Sequence, residues 1–284
     1  MNGFLLVDKP AGMTSHDVVA KARKKFGTKR VGHAGTLDPM ATGVLVLGVG
    51  NATKLLQYVV NGNKSYDATI KLGISTHTDD REGEVICTKK TSTITEELIR
   101  SELAKFVGTI MQQPSSVSAI KIDGKRAHER VRDGEKVEMP AREVTIESIV
   151  VHEVRNDEVD ISVSCSAGTY IRAIARDLGK NLEVGGHLTS LRRTLVSPFD
   201  ITECSKLEDA VLLTTAEGIS RILPTRELTL DESIEIGFGR TISKSETSGP
   251  VAALHGDGTF AALLLNREFS GQELATPTLV AVKE

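Results

Sequence analysis

The segment "VGHAGTLDPMATGVLVLGVG", residues 31 to 50, sets His33, Asp38 and the glycines Gly32, Gly35 and Gly43 ahead of an unbroken apolar run. An imidazole and a carboxylate are groups that move protons or attack electrophiles. Glycines at this spacing allow tight turns or close approach to a ligand, and Asp38-Pro39 fixes a bend between them. Asp38 is therefore the candidate reactive group, and an Asp-Pro that only shapes a turn is the plain alternative. Just upstream, "KARKKFGTKR" supplies Lys21, Arg23, Lys24, Lys25, Lys29 and Arg30 without an acidic neighbour. Such a run is either a solvated helix face or an edge that meets phosphates.

Other chemistries lack their signatures. The chain has no GxSxG, HExxH or Walker sequence, and "GVGNATK" lacks the third glycine of a dinucleotide fingerprint. Three cysteines far apart, with no CxxC or Cys/His spacing, argue against a disulfide framework or a zinc site and fit a reducing cytoplasm. Asp79, Asp80, Glu82 and Glu84 cluster in a turn-rich stretch, where acids are expected to be solvated. A net charge of -3 over 284 residues confines any nucleic-acid role to local patches. No stretch reaches the ~20 apolar residues of a membrane span.

The elements that must position these groups read as follows. "GFLLVDKP" is a buried strand, and Thr14/Asp17 opens an amphipathic helix with Val18, Ala22 and Phe26 inward, closed by Gly27. "GVLVLGVG" is a central strand, "NATKLLQYVVNG" a helix, and Tyr66, Ala68, Ile70 and Leu72 alternate along a half-buried strand. "TEELIRSELAKFVG" is a helix. Residues 112–142, charge-dense with Lys121, Lys125, Arg126, Arg130 and Arg132, read as an insertion. Two strands follow, and then "GTYIRAIARDLGKNL", a helix with Arg172 and Arg176 on one face. "SKLEDAVLL" carries a Ser205/Glu208 capping pattern, a linker is expected near residue 224, and the tail is β-rich.

"GHAGTLDPMATGVL" closely resembles the signature of the TruB family of tRNA pseudouridine synthases. "LLVDKPAGMTSHDVV", "KSYDATIKLG" with "HTDD", "PSSVSAIKIDGKRAHERVRDG", "AGTYIRAIARDLG" and "HLTSLRRTLVSPF" resemble further blocks of that family, in its order, across roughly residues 3 to 200. The resemblance implies an α+β fold: a catalytic domain around a mainly antiparallel mixed sheet (residues 1–223) and a small β-rich, PUA-like C-terminal domain (residues 224–284). It implies a cofactor-free and metal-free isomerase that converts the T-loop uridine at tRNA position 55 to pseudouridine after flipping it out.

Asp38 would then be the catalytic carboxylate, and Arg172 its ion-pair partner, keeping it ionised. Tyr66 would stack on the flipped base, and His33 would hold the extruded state. Tyr170 and Leu191 would line the uracil pocket, with Lys9 and Pro10 as supports of the loop. The implied partner is the tRNA T-arm, gripped by Lys21 to Arg30 and by the 112–142 insertion, in which His128 departs from the family's tyrosine. The chain is expected to be a cytoplasmic monomer. A non-catalytic RNA-binding or tRNA-folding protein would use the same basic surface.

Overall fold

In a computed structural model, residues 2–115 and 139–281 are described, together with the backbone pairing of Lys121–Ile122 with Lys125–Arg126. The basic residues and His128 of the expected insertion lie outside the described residues in every other respect. The chain opens with β1 (Gly3–Lys9), α1 (Ser15–Phe26), β2 (Val31–His33) and β3 (Thr42–Val49). A 3-10 turn at Gly50–Leu55 leads into α2 (Leu56–Val60) and β4 (Lys64–Leu72). Next come β5 (Ile74–Thr76), β6 (Val85–Thr88), α3 (Glu96–Ala104), β7 (Gly108–Gln112) and the short pair β8 and β9 (Lys121–Ile122, Lys125–Arg126). β10 (Arg142–Arg155), β11 (Glu158–Cys165), α4 (Ile171–Asn181), β12 (Gly186–Val196), β13 (Phe199–Asp200) and β14 (Leu212–Thr214) complete the first sheet.

That sheet has ten strands in the order β14-β1-β3-β12-β4-β11-β10-β7, with β2 on β3 and β13 on β12. Its strands pair antiparallel except for β3 with β12. The mixed, mainly antiparallel α+β architecture expected from the sequence is present.

Side-chain pattern explains which strands are central. In β1 and β3 both faces are covered: Phe4, Leu6, Val44 and Val46 enter one core, and Leu5, Val7, Leu45 and Leu47 another beneath α1. Strands buried on both sides read as continuous apolar runs. β4 instead buries Tyr66, Ala68, Ile70 and Leu72 and turns Ser65, Asp67, Thr69 and Lys71 outward, so its sequence alternates. α4 and α3 close that inner face with Ile171, Ile174, Leu178, Ile99 and Leu103. The Thr14/Asp17 capping box forms in both directions, Thr14 N to Asp17 Oδ2 at 2.9 Å and Asp17 N to Thr14 Oγ at 3.1 Å.

Two sequence readings change. Ser205 does not cap a helix: residues 206–210 form a turn, because Ser205 is held as a bridge partner of Val7 and the Leu207, Glu208 and Ala210 carbonyls accept from Lys25 Nζ at 2.8–2.9 Å. Asp79 and Asp80 are not solvated; both are buried.

The tail contains α5 (Thr215–Ser220), β15 (Thr225–Glu227), α6 (Leu230–Gly237), β16 (Ile242–Ser243), β17 (Val251–Leu254), β18 (Phe260–Phe269) and β19 (Gln272–Val280). Its five strands form a second sheet in the order β15-β17-β18-β19-β16. Ala252 and Leu263 of this sheet join Phe4, Phe199 and Ile219 in one core, and Pro224 O accepts from Ala252 N at 2.9 Å where a linker is expected. Two of the tail's acids are internally paired, Glu232 with Arg226 and Glu235 with Arg240.

Candidate active site

The loop between β2 and β3 is built by its neighbours. Ser15, the first residue of α1, accepts from Leu37 N at 2.9 Å and donates to Leu37 O at 3.2 Å. Lys9, wholly buried at the end of β1, donates to Pro10 O at 2.9 Å, Met13 O at 2.6 Å and Pro39 O at 3.3 Å. Gly12 N reaches Pro39 O at 2.8 Å. Asp38 is thus held on both sides by backbone contacts, and Leu37, Met40 and Ala41 anchor the loop in the core beside Tyr66, Ile171 and Leu191. Lys9 as a support of the loop agrees with the sequence reading.

Arg172 reaches Asp38 from the first turn of α4. Its Nε lies 3.0 Å from Asp38 Oδ2 and its Nη2 3.4 Å from Oδ1, a two-point grip. Its Nη1 donates to Thr78 O at 2.7 Å and lies 3.5 Å from Asp80 Oδ2. One turn later Arg176 pairs with Asp79 at 3.4 Å and with Asp177 at 2.8 Å, and donates to Gln113 O at 2.8 Å. The two arginines at i and i+4 therefore clamp the 78–80 turn against the loop of Asp38. Asp79 adopts φ 59, which an Asp tolerates better than most residues, and its carbonyl accepts from Leu188 N of β12 at 3.0 Å.

Asp38 keeps 32% of its side chain open while Arg172 is only 5% exposed, so a reacting atom can meet the carboxylate but not its partner. Burial pushes the Asp38 carboxyl above the usual range; Arg172 opposes this, and the Asp80 charge works with burial. The ion pair expected from the sequence is present, yet burial outweighs it. Burial likewise pulls Lys9 down to about 8, with Asp38 opposing, and pushes the Tyr66 phenol up.

The remaining expected residues fall around this pair. Tyr66 is buried on β4 opposite Arg193 of β12, and Leu191, opposite Ala68, shares its core. Tyr170 immediately precedes α4: Gln112 accepts from its N–H at 2.8 Å and donates to its C=O at 3.1 Å, while the Arg142 guanidinium lies 4.8 Å over its ring. His33 ends β2, edge-on to His16 at 5.3 Å between ring centres, with its Nδ1 buried and without a hydrogen-bond partner among the described residues. Burial, then His16, lower its pKa and favour the neutral ring.

Sequence reasoning missed four contributors. Arg193, 1% exposed, donates to Val44 O at 2.8 Å, Gly35 O at 3.1 Å and Thr36 O at 3.4 Å. Asp80, Gln112 and Ser15 are buried polar residues: Ser15 and Gln112 bond far along the chain, and Asp80 adds Arg172 to its local partners Thr78 and Glu82. Only an arginine in an otherwise core-facing strand position hinted at the first; the others carry no local signal.

A cavity of about 1360 Å3 lies elsewhere, between α5, α6 and the β17–β18 hairpin. None of the residues that surround Asp38 lines it, so its size is no guide to the chemistry. Among the described residues no three His, Cys, Asp or Glu side chains converge to hold a metal ion, and no helix is long and apolar enough to cross a membrane.

Residues 23–171 match the TruB family pseudouridylate synthase (N terminal domain), and residues 172–230 the tRNA pseudouridylate synthase B C-terminal domain. Asp38 lies in the first region and Arg172 opens the second. A relative named tRNA pseudouridine synthase B from Corynebacterium glutamicum (strain R) is 51% identical, covering 96% of this chain and 94% of the relative. One of the same name from Arthrobacter sp. (strain FB24) is 50% identical over 93% of this chain and 92% of its own.

Among solved structures, an H/ACA RNP bound to a substrate RNA containing 2'-deoxyuridine superposes with a TM-score of 0.73 at 22% identity, covering 99% of this chain and 85% of that one. A Cbf5-Nop10-Gar1 complex gives a TM-score of 0.71 at 24% identity, over 99% and 84%. These two likenesses show a shared fold. With the family matches spanning the loop of Asp38 and the helix of Arg172, and half the residues shared with full-length relatives, the chain belongs to the TruB family of pseudouridylate synthases, and it is a pseudouridine synthase.

Proposed function

We propose that this enzyme isomerises uridine 55 in the T-loop of tRNA to pseudouridine, with Asp38 acting on a uridine flipped out of the loop. The observation that carries the reading is a partly open carboxylate gripped at two points by a buried arginine, on a loop pinned from three directions. The relatives' names supply the substrate class. Isomerisation breaks C1′–N1, joins C1′ to C5, loses the C5 proton and leaves a proton on N1. A carboxylate fixed in a largely dry site can act as nucleophile or base for this without a cofactor.

In this reading Tyr66 stacks on the flipped base, Leu191 and Tyr170 line the uracil pocket, and Arg172 orients Asp38. A neutral His33 occupies the space the base vacates, as an uncharged ring suits a stacked site. Residues 1–223 form the catalytic domain, in which the 112–142 segment and the basic α1 edge grip T-arm phosphates; residues 224–284 form a PUA-like domain. The enzyme works as a cytoplasmic monomer.

The test is tritium release from a T-arm stem-loop labelled at uridine C5. The unaltered enzyme releases tritium, and Asp38→Asn binds the stem-loop equally well without release. If both proteins bind and neither releases tritium, the chain is an RNA-binding or RNA-folding protein toward this substrate and the reading fails.

A further inference from the structure

Arg193 stands out among the groups that the proposed mechanism leaves without a role. Its side chain is 1% exposed, and it forms no ion pair among the described residues. Its donors go instead to Val44 O, Gly35 O and Thr36 O. Tyr66 is its cross-strand partner, and the Tyr66 phenol lies within the fields of both Arg193 and Asp38. Lys64, buried as well, approaches the same glycine: Arg193 Nη1 and Lys64 Cε come within 3.5 and 3.9 Å of the position a Cβ would take on Gly35. Lys64 Nζ donates to Val60 O at 2.8 Å and Gly62 O at 2.6 Å, and the Arg193 charge adds to the burial that draws it down to about 8.

A buried cation without a carboxylate is expensive, and an apolar side chain of similar length would pack at lower cost. Serving two loop carbonyls and one of β3 is one reason to retain it. Charge balance gives another. Around the loop, Lys9, Lys64, Arg172 and Arg193 are buried cations, against the carboxylates Asp38 and Asp80. The site is therefore net positive where the base is expected to sit, and a fixed field of that sign favours whichever state along the reaction carries negative charge on the base.

We infer that Arg193 is a positioning residue for the isomerisation: it ties the Gly35–Thr36 turn to Val44 of β3, opposite Tyr66, and keeps the pocket positive for the base as it leaves C1′. The inference rests on the uridine-isomerase reading above. When C1′–N1 breaks heterolytically, the bonding pair departs with the ring and spreads over N1 and its flanking carbonyls. That charge is cancelled when C5 bonds to the electron-poor C1′, and it returns to the ring when C5 gives up its proton, until N1 is protonated. Arg193 touches neither reacting atom, so its influence is felt in kcat and leaves substrate binding intact.

The experiment uses the full chain and the C5-tritiated T-arm stem-loop, with kcat, KM, stem-loop affinity and melting temperature measured for Arg193→Lys and Arg193→Gln. Both variants lose the planar fork, and only the first keeps the charge. Arg193→Gln lowers kcat about 100-fold with KM and affinity within about threefold, whereas Arg193→Lys stays within about tenfold of the unaltered enzyme. Equal kcat for the two folded variants, or a loss confined to KM, overturns the inference.

Should Arg193→Gln fail to fold, Arg193→Met takes its place as the uncharged variant. If both uncharged variants fail while Arg193→Lys folds, the charge serves the fold alone and the inference is overturned. No release by the unaltered enzyme overturns both the isomerase reading and the role of Arg193, while release by it with equal variants overturns only the latter.

Discussion

In the proposed reaction Asp38 has to be charged to react and buried to be held, and its neighbours divide those demands: Arg172 favours the carboxylate, while burial and the Asp80 charge favour the acid. With the carboxylate as the proposed reactive form, the acid limb of kcat/KM is expected above the ordinary aspartate value of 3.8. Asp80→Asn removes a like charge and moves that limb to lower pH, even as the weaker hold on Arg172 lowers kcat; single-turnover rates from pH 4 to 9 measure both. Lys9 sets an alkaline limb near 8. Its ammonium has three protons for three carbonyls, and the neutral amine leaves one of them unserved, which loosens Pro39 beside Asp38. The stability effect has the opposite sign. With a folded value of about 8 against 10.5 unfolded, the unfolded chain binds more protons in that window, so the Lys9 contribution to stability rises with pH. Thermal melts at the same pH values therefore show activity falling without unfolding.

At the scale of elements, the site depends on β3 and β12 lying side by side, the parallel pairing in an otherwise antiparallel sheet. Gly43 makes this approach possible: its φ is +101, and a Cβ there would stand 2.1 Å from Arg193 O. Gly43→Ala must part the strands that carry the Asp38 loop and Arg193, and costs about 3 kcal/mol or more in urea denaturation. Gly12→Ala is the control. It has φ +80 but open space around the added methyl, so only backbone strain of about 1–2 kcal/mol is expected. The helices are placed as firmly: Gln112 grips both polar groups of the Tyr170 backbone, so α4 starts where Arg172 meets Asp38.

Over the whole molecule, charge and core packing separate residues that look alike in sequence. Within the basic run, Arg23 donates to Val31 O at 3.1 Å and Lys25 to three carbonyls of the 207–210 turn, while Lys24 and Lys29 face solvent. Neutralising Lys24 and Lys29 together lowers the salt slope of stem-loop binding by about 0.7 to 0.9 for each phosphate that is no longer neutralised. Lys25→Gln lowers the melting temperature and leaves that slope alone. The second sheet shares a core with Phe4, Phe199 and Ile219, so calorimetry of the full chain shows one transition; two separated transitions would contradict the shared core.

Much of this was legible in the residues. Alternation along β4, unbroken apolar runs in β1 and β3, the Thr14 cap and the i, i+4 arginines of α4 are local patterns with local causes, and the shaped loop marked Asp38 without reference to the fold. The resemblance of ordered blocks implied the fold class and the family. Tertiary structure decided what depends on distant partners. It buried Asp79 and Asp80 under two arginines and turned the Ser205 segment into a carbonyl platform for Lys25. It also tied Arg23 and Lys25 to backbone carbonyls and set Arg193, with carbonyls rather than carboxylates as its partners among the described residues, behind the loop of Asp38. A residue's type fixes which bonds it can form; its burial and its partners across the sheet, set by strands that meet from opposite ends of the chain, fix which bonds it does form.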